Sequence, residues 1–161
     1  IKSGEIVPQT ADALELLDDA ILRSRALFPG KDVKIDVASE AGRATVVGSR
    51  LLLEAFINLI TNAIKFNRNK NIEIGIQVSS HESGFLKLEF RDNGPGIEDS
   101  MKEKIFDRSL RLHPEIWGTG LGLTLVKTII ESYGGIIYVE NRVKNDHRQG
   151  SNFIVILRRC D

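Results

Sequence analysis

The chain has 161 residues, 42% of them hydrophobic, with 22 basic and 22 acidic side chains balancing to a formal net charge of zero. That is enough apolar material for one domain with a real core and too little for two, and the charge balance argues against a polyanionic partner such as nucleic acid. No apolar run approaches the roughly 20 residues that span a bilayer, and Ile1 to Glu5 do not read as a signal peptide, so a soluble domain without membrane contact is expected. A single cysteine, Cys160, excludes an internal disulfide, suits a reducing compartment, and reads as incidental rather than nucleophilic.

In chain order, Ile6-Val7 is a short edge-strand candidate closed by Pro8. Thr10 is placed to cap a helix from Ala11 to about Leu27, with Leu14, Leu17, Ile21 and Leu27 on its apolar stripe and Phe28-Pro29-Gly30 ending it. Val33 to Val37 alternates as a half-buried strand does, and Thr45-Val46-Val47 is a second short candidate. Ser49 is expected to cap a helix from about Arg50 to Phe66. After the polar turn Asn67 to Asn71, the period-two runs Ile72 to Val78 and Phe85 to Phe90 predict an antiparallel hairpin ending at Asp92. Met101 to Ile105 predicts a short helix, and Phe106 to Trp117, irregular and broken by Pro114, predicts a loop that orders on ligand binding. A helix from about Leu121 to Tyr133 stops at Gly134-Gly135. Ile136 to Val139 and Phe153 to Leu157 then predict two closing strands separated by a polar Asn141 to Gly150 connection. This order favours an α+β, two-layer sandwich with a mixed, mostly antiparallel sheet covered by about three helices on one face, and disfavours a parallel dinucleotide fold.

Two stretches call for a backbone close to a ligand. Arg91-Asp92-Asn93-Gly94-Pro95-Gly96-Ile97 follows a strand, so its glycines permit a tight turn and leave one carboxylate at the mouth. Gly118-Thr119-Gly120-Leu121-Gly122-Leu123 runs into a helical pattern, where free N–H groups and the positive dipole end attract phosphate. Together they suggest a nucleotide held at its base by one loop and at its phosphates by the other. No lysine follows the second stretch as in a Walker loop, and no strand precedes it as a nicotinamide site requires. Asn58, Asn62 and Lys65, spaced four and three apart, share one helix face at about 100° per residue, opposite Leu53, Phe56, Ile60 and Ala63. Such a face can offer an amide oxygen to Mg²⁺ and an ammonium group to phosphate, or be an ordinary solvated surface. Asp92 likewise can accept from an exocyclic amine or be a turn aspartate.

Asn58 to Phe66 resembles the N box, Asp92 to Ile97 the first glycine box, Ile105-Phe106-Asp107 the F box and Gly118 to Leu123 the second glycine box of the sensor histidine kinase catalytic and ATP-binding domain. Gly150-Ser151-Asn152-Phe153 resembles the start of that family's last strand, so the likeness covers almost the whole chain. The resemblance implies the Bergerat sandwich shared with gyrase, the Hsp90 chaperones and the MutL mismatch-repair proteins, with ATP and Mg²⁺ as cofactors. It implies that Asn62 coordinates Mg²⁺, Lys65 contacts phosphate and Phe66 packs near the nucleotide. It also implies that Asp92 recognises the adenine amino group, Gly94, Gly96 and Ile97 shape the pocket, and Ser151 assists. Thr119, Gly120, Leu121, Gly122 and Leu123 would meet the nucleotide, while Asp107 to Trp117 would form a lid anchored by Phe106. Trp117 departs from the pattern, where a small residue is more usual. ATP-hydrolysing relatives carry glutamate where this chain has Asn58, which has no useful basicity, so transfer to a separate acceptor is favoured over hydrolysis.

His81, His113 and His147 all fall in expected loops, and none lies on a long acceptor helix. Residues 1–161 are therefore expected to be one catalytic domain of a longer sensor, monomeric as a piece and homodimeric in its parent. The dimerisation, phosphoacceptor and sensor domains would lie elsewhere. The partners implied are a phosphoacceptor histidine domain and a response regulator receiver domain, in the cytoplasm. Two other readings stay open: a nucleotide-sensing module without phosphotransfer, and an anti-sigma-type serine kinase.

Overall fold

The computed structural model describes residues 9–107 and 121–160, and the strand expected at Ile6-Val7 lies outside them. β1 (Thr10–Asp12) leads directly into α1 (Ala13–Leu27). Asp12 caps this helix in place of Thr10: its Oδ1 accepts from Leu14 N at 3.0 Å and Glu15 N at 3.2 Å, filling two orphan donors of the first turn. Thr10 is committed instead to strand pairing with Val47. The helix buries Ala13, Leu16, Leu17, Ala20 and Ser24, with Leu14 and Ile21 half-buried beside them. Leu27, expected on that stripe, is exposed, and Phe28 packs against the core at the helix end instead.

β2 (Asp32–Ser39) and β3 (Thr45–Val47) follow, then α2 (Leu51–Lys65). Arg50 takes the N-cap position of α2 without a side-chain cap bond, and Ser49, expected to cap the helix, stands one residue earlier, its Oγ accepting from Leu51 N at 3.2 Å. The same hydroxyl is hydrogen-bonded to the Tyr133 hydroxyl beyond α3 (Leu121–Ser132), so the starts and ends of two helices meet at one point. α2 buries Leu52, Leu53, Ala55, Phe56, Leu59, Ile60 and Ile64, a face wide enough to sit between sheet and helices.

β4 (Asn71–His81) and β5 (Phe85–Asp92) form the expected hairpin. The helix expected at Met101 to Ile105 is replaced by two 3₁₀ turns, Asp99–Met101 and Lys104–Phe106, each too short to hold an α-helical ladder. β6 (Ile136–Val143) and β7 (Asp146–Arg158) run further than expected. Val143 pairs with Asp146 across a tight turn in which Asn145 takes φ 67, so most of the polar stretch read as a connection is strand. Its polarity reflects strand ends facing water, and asparagine tolerates the left-handed turn conformation.

The five main strands lie in the order β2-β4-β5-β7-β6, parallel only between β2 and β4, while β1 and β3 pair separately. Alternation sends Ile72, Ile74, Ile76 and Val78 of β4 and Leu86, Leu88 and Phe90 of β5 into the core. Phe56 of α2 meets Phe90 there, ring centroids 5.9 Å apart. The alternate residues make a polar outer face, where Glu89 accepts from Asn152 Nδ2 at 3.1 Å and from Arg91 at 3.1 Å. Among the described residues the architecture is the expected α+β sandwich, with α1, α2 and α3 layered on one side of the sheet.

Candidate functional site

β5 ends on Asp92, whose side chain is only 7% exposed. Its Oδ1 accepts from Gly94 N at 2.8 Å and from Ser151 N at 3.4 Å, so the loop after β5 and the middle of β7 fix the carboxylate together. Burial pushes its pKa up to about 6, against the lowering pull of those two N–H groups and the Arg142 guanidinium. Close approach explains the glycines here. A Cβ on Gly94 would stand 2.9 Å from Asp92 Oδ1, and Gly96, at φ +75, would place one 1.5 Å from the His147 carbonyl oxygen.

The C-terminal half of α2 faces this strand end across a cavity of about 500 Å³. The cavity brings together Asn62, Lys65, Phe66, Asp92, Gly94, Gly96, Ile97, Leu123 and Ser151, all expected from the sequence. Lys65 is exposed at its rim, Nζ 5.4 Å from the Phe66 ring centroid. Phe106 is buried and does not line the cavity; it stands edge-on to Phe153, which does, at 6.2 Å between centroids. Thr124 Oγ1 donates to the Phe106 carbonyl at 3.0 Å, tying the second 3₁₀ turn to α3.

Asn58 also stays out of the cavity lining, its Nδ2 donating to Glu54 O at 2.9 Å one turn back. Its Oδ1 lies 3.1 Å from where a Cβ on Gly122 would stand, so that glycine lets the first turn of α3 settle against α2. Leu121 opens α3, leaving the first N–H groups without helical acceptors. Thr119, Gly120, Trp117, His113 and the expected lid from residue 108 onward lie outside the described residues. His81 closes β4 and His147 sits in β7, so neither is on a helix.

Ala63, Asn67, Arg68, Pro95 and Phe153 line the cavity without having been singled out as site residues. Phe153 could have been found from strand alternation, which puts it on the same side as the buried Ser151. Asn67 could not, since an asparagine in an asparagine-rich turn reads as solvated. A second, larger hollow of about 1020 Å³ lies on the polar outer face of the sheet, lined by side chains of both charge signs. Its mixed charge and mostly polar lining suit a hydrated sheet surface better than a base pocket.

Among the described residues no group of three or more His, Cys, Asp or Glu could hold a metal. Of the α2 residues that line the cavity, Asn62 is the one whose side chain carries an oxygen, which fits a cation held chiefly by phosphate oxygens and water and not by the protein.

The layout is that of the histidine kinase catalytic domains among solved structures. A mycobacterial sensor histidine kinase, MprB, superposes with TM-score 0.79 at 25% identity, covering 94% of this chain and 97% of that one. The catalytic domain of histidine kinase ThkA gives TM-score 0.80 at 25% identity, with 96% and 97% covered. By sequence, cyanobacterial phytochrome A of a Nostoc species is 36% identical over 89% of this chain and 19% of its own length. The methanogenesis regulatory histidine kinase FilI of Methanothrix harundinacea is 30% identical over 86% of this chain and 16% of its own. The chain thus spans less than a third of the length of these relatives. Residues 48–160 match the family described as histidine kinase-, DNA gyrase B-, and HSP90-like ATPase, and the chain belongs to that family.

Proposed function

We propose that residues 1–161 are the single catalytic, ATP-binding domain of a two-component sensor histidine kinase. It would transfer the ATP γ-phosphoryl group to a histidine on a separate phosphoacceptor domain, which hands it to a response regulator receiver domain. The observation that carries this reading is the shared cavity, with buried Asp92 at one end and Asn62 and Lys65 of α2 at the other. Ionised Asp92 accepts a hydrogen bond from the adenine amino group, oriented by Gly94 N and Ser151 N. Phe66, Ile97, Leu123 and Phe153 give the base apolar walls. Lys65 supplies a point charge to the phosphates, and Asn62 holds the phosphate-bound Mg²⁺, which neutralises charge on the transferring group.

Asn58 cannot abstract a proton from water, and its amide nitrogen is already engaged by Glu54 O. Asp92, the carboxylate among the described lining residues, belongs to the base end. Catalysis by positioning and charge neutralisation toward an outside acceptor therefore fits better than hydrolysis. The similarity to proteins named histidine kinases supports histidine as that acceptor. Among the described residues no helix is long and apolar enough to cross a membrane, which fits a domain on the cytoplasmic side of its parent. It would be monomeric alone and carried in a homodimer.

The test mixes the chain with a purified acceptor domain bearing a helical histidine and with γ-labelled ATP. Acid-labile label on the acceptor is expected. Nucleotide binding without transfer would make the chain a sensing module, and acid-stable label on serine would make it a serine kinase.

A further inference from the structure

The register of β4 with β5 stops at Ile74 and Asp92, and one further backbone bond, Asn93 N to Glu73 O at 3.2 Å, ends the pairing where the base pocket begins. Beyond it, one side chain ties three segments together. Asn93 Oδ1 accepts from Asn67 Nδ2 at 2.7 Å and from Glu73 N at 3.0 Å, and Asn93 Nδ2 donates to Asn71 O at 3.1 Å. Asn67, 5% exposed, in turn accepts at Oδ1 from Asn69 N at 2.9 Å. Asn69 Nδ2 donates to the Asn93 carbonyl. The turn leaving α2, the first residues of β4 and the loop after Asp92 are thereby held by carboxamides beside that one backbone bond. The orientation of Asn93 is unambiguous, because the Glu73 N–H requires an oxygen and the Asn71 carbonyl a donor. Aspartate would lose the donor and serine is too short to bridge.

Asn67 also lines the nucleotide cavity, its Nδ2 standing 3.7 Å from where a Cβ on Gly94 would be. Gly94 N is the shorter of the two bonds that orient the Asp92 carboxylate. We propose that Asn93 and Asn67 form a positioning latch that sets Asp92 against the end of α2, and thereby make the pocket selective for a purine bearing a 6-amino group. This rests on the ATP-binding reading above and assigns its base selectivity to residues that do not themselves bond the base. Loosening the latch moves Asp92 relative to the base while leaving Lys65 and Asn62, on the helix itself, in reach of the phosphates.

ATP and inosine triphosphate carry the same sugar and phosphates and differ at the C6–N1 edge of the base, an amino group beside a bare N1 against a carbonyl beside an N1–H, so their affinity ratio isolates the base contact. Calorimetric titration of the 161-residue chain is expected to favour ATP by about tenfold or more, the usual scale for one polar contact to a built site. In Asn93→Ala that ratio is expected to fall to within about threefold, with inosine triphosphate affinity unchanged, since displacement of about 1 Å is enough to lose such a bond. Asn67→Ala combined with Asn93→Ala should be no worse than Asn93→Ala alone, as members of one unit are. Thermal unfolding without nucleotide checks that each variant is folded. Should Asn93→Ala not fold, Asn67→Ser, which leaves Asn93 its bonds to Glu73 and Asn71, carries the test. Folded variants that keep full selectivity, or that weaken both nucleotides equally, overturn the latch. A wild-type chain that binds neither nucleotide, or both alike, overturns the adenine reading itself.

Discussion

Asp92 is a carboxylate taken out of water and given two backbone N–H groups in return. Its pKa of about 6 means that this exchange is incomplete. The folded state takes up its proton at higher pH than the unfolded chain, so the associated stability is present below pH about 4 and lost as pH rises through about 6. Asp92→Asn keeps an oxygen for both N–H groups and removes the buried charge. The variant is expected to be more stable than the wild type at pH 7.5, by up to about 3 kcal/mol, and so to melt higher, while ATP affinity falls about tenfold or more. Calorimetric titration and thermal melts on one preparation check both. The ATP-to-inosine triphosphate affinity ratio of the wild type should decline as pH falls from 7.5 to 5 with a midpoint at or below about 6, and Asp92→Asn should be flat. The ratio cancels the phosphate titration that both nucleotides share. Asp92 was legible because a strand ended on it. Asn67 was not, because its burial depends on Asn93, a residue 26 positions away that only the fold brings near.

Among the elements, α2 was legible as an amphipathic helix with Asn62 and Lys65 on the face opposite Phe56 and Ile60. Its period of 3.6 residues fixed that geometry before any tertiary contact was known. The β6–β7 hairpin was less so. Polar residues from Asn141 to Gly150 suggested a connection, yet the strands continue because their outer face is solvated and polar side chains cost nothing there. The extension matters to the site, since it carries the His147 carbonyl to the loop after β5. Gly96→Ala would drive a methyl into that carbonyl at an unfavourable φ. It is expected to lower stability by about 2 kcal/mol or more and to abolish measurable nucleotide binding, read by thermal melts and calorimetry. The start of α1 shows the limit of cap reading: Thr10 has the right side chain for a cap, but its pairing with Val47 commits it to a strand, and the cap falls to Asp12.

At the scale of the whole molecule, the order of apolar periods was enough to give a mostly antiparallel sheet with helices on one side, because short connections leave few other arrangements. The parallel pairing of β2 with β4 was not legible, since it depends on α2 crossing over between them. Phe56 of that helix is fully buried and packs against Phe90 of β5 in the core. Phe56→Ala is expected to cost about 3–5 kcal/mol, and saturating ATP should restore part of the lost melting temperature by mass action.

β3 has company on both edges: β1 on one, and on the other Arg159, which bridges Val46, with Cys160 N donating to Thr45 O at 2.9 Å. The chain therefore enters and leaves the described fold on the same short strand. β1 and the Arg159 segment both run antiparallel to β3 and hence parallel to each other. A tension applied at Thr10 and Cys160 would load this patch in shear, straining its hydrogen bonds together instead of peeling them one by one. The nucleotide cavity, formed by α2, β5, β7 and α3, lies off that line of force, so a mechanical tug transmitted along the chain would reach the patch before it reached Asp92.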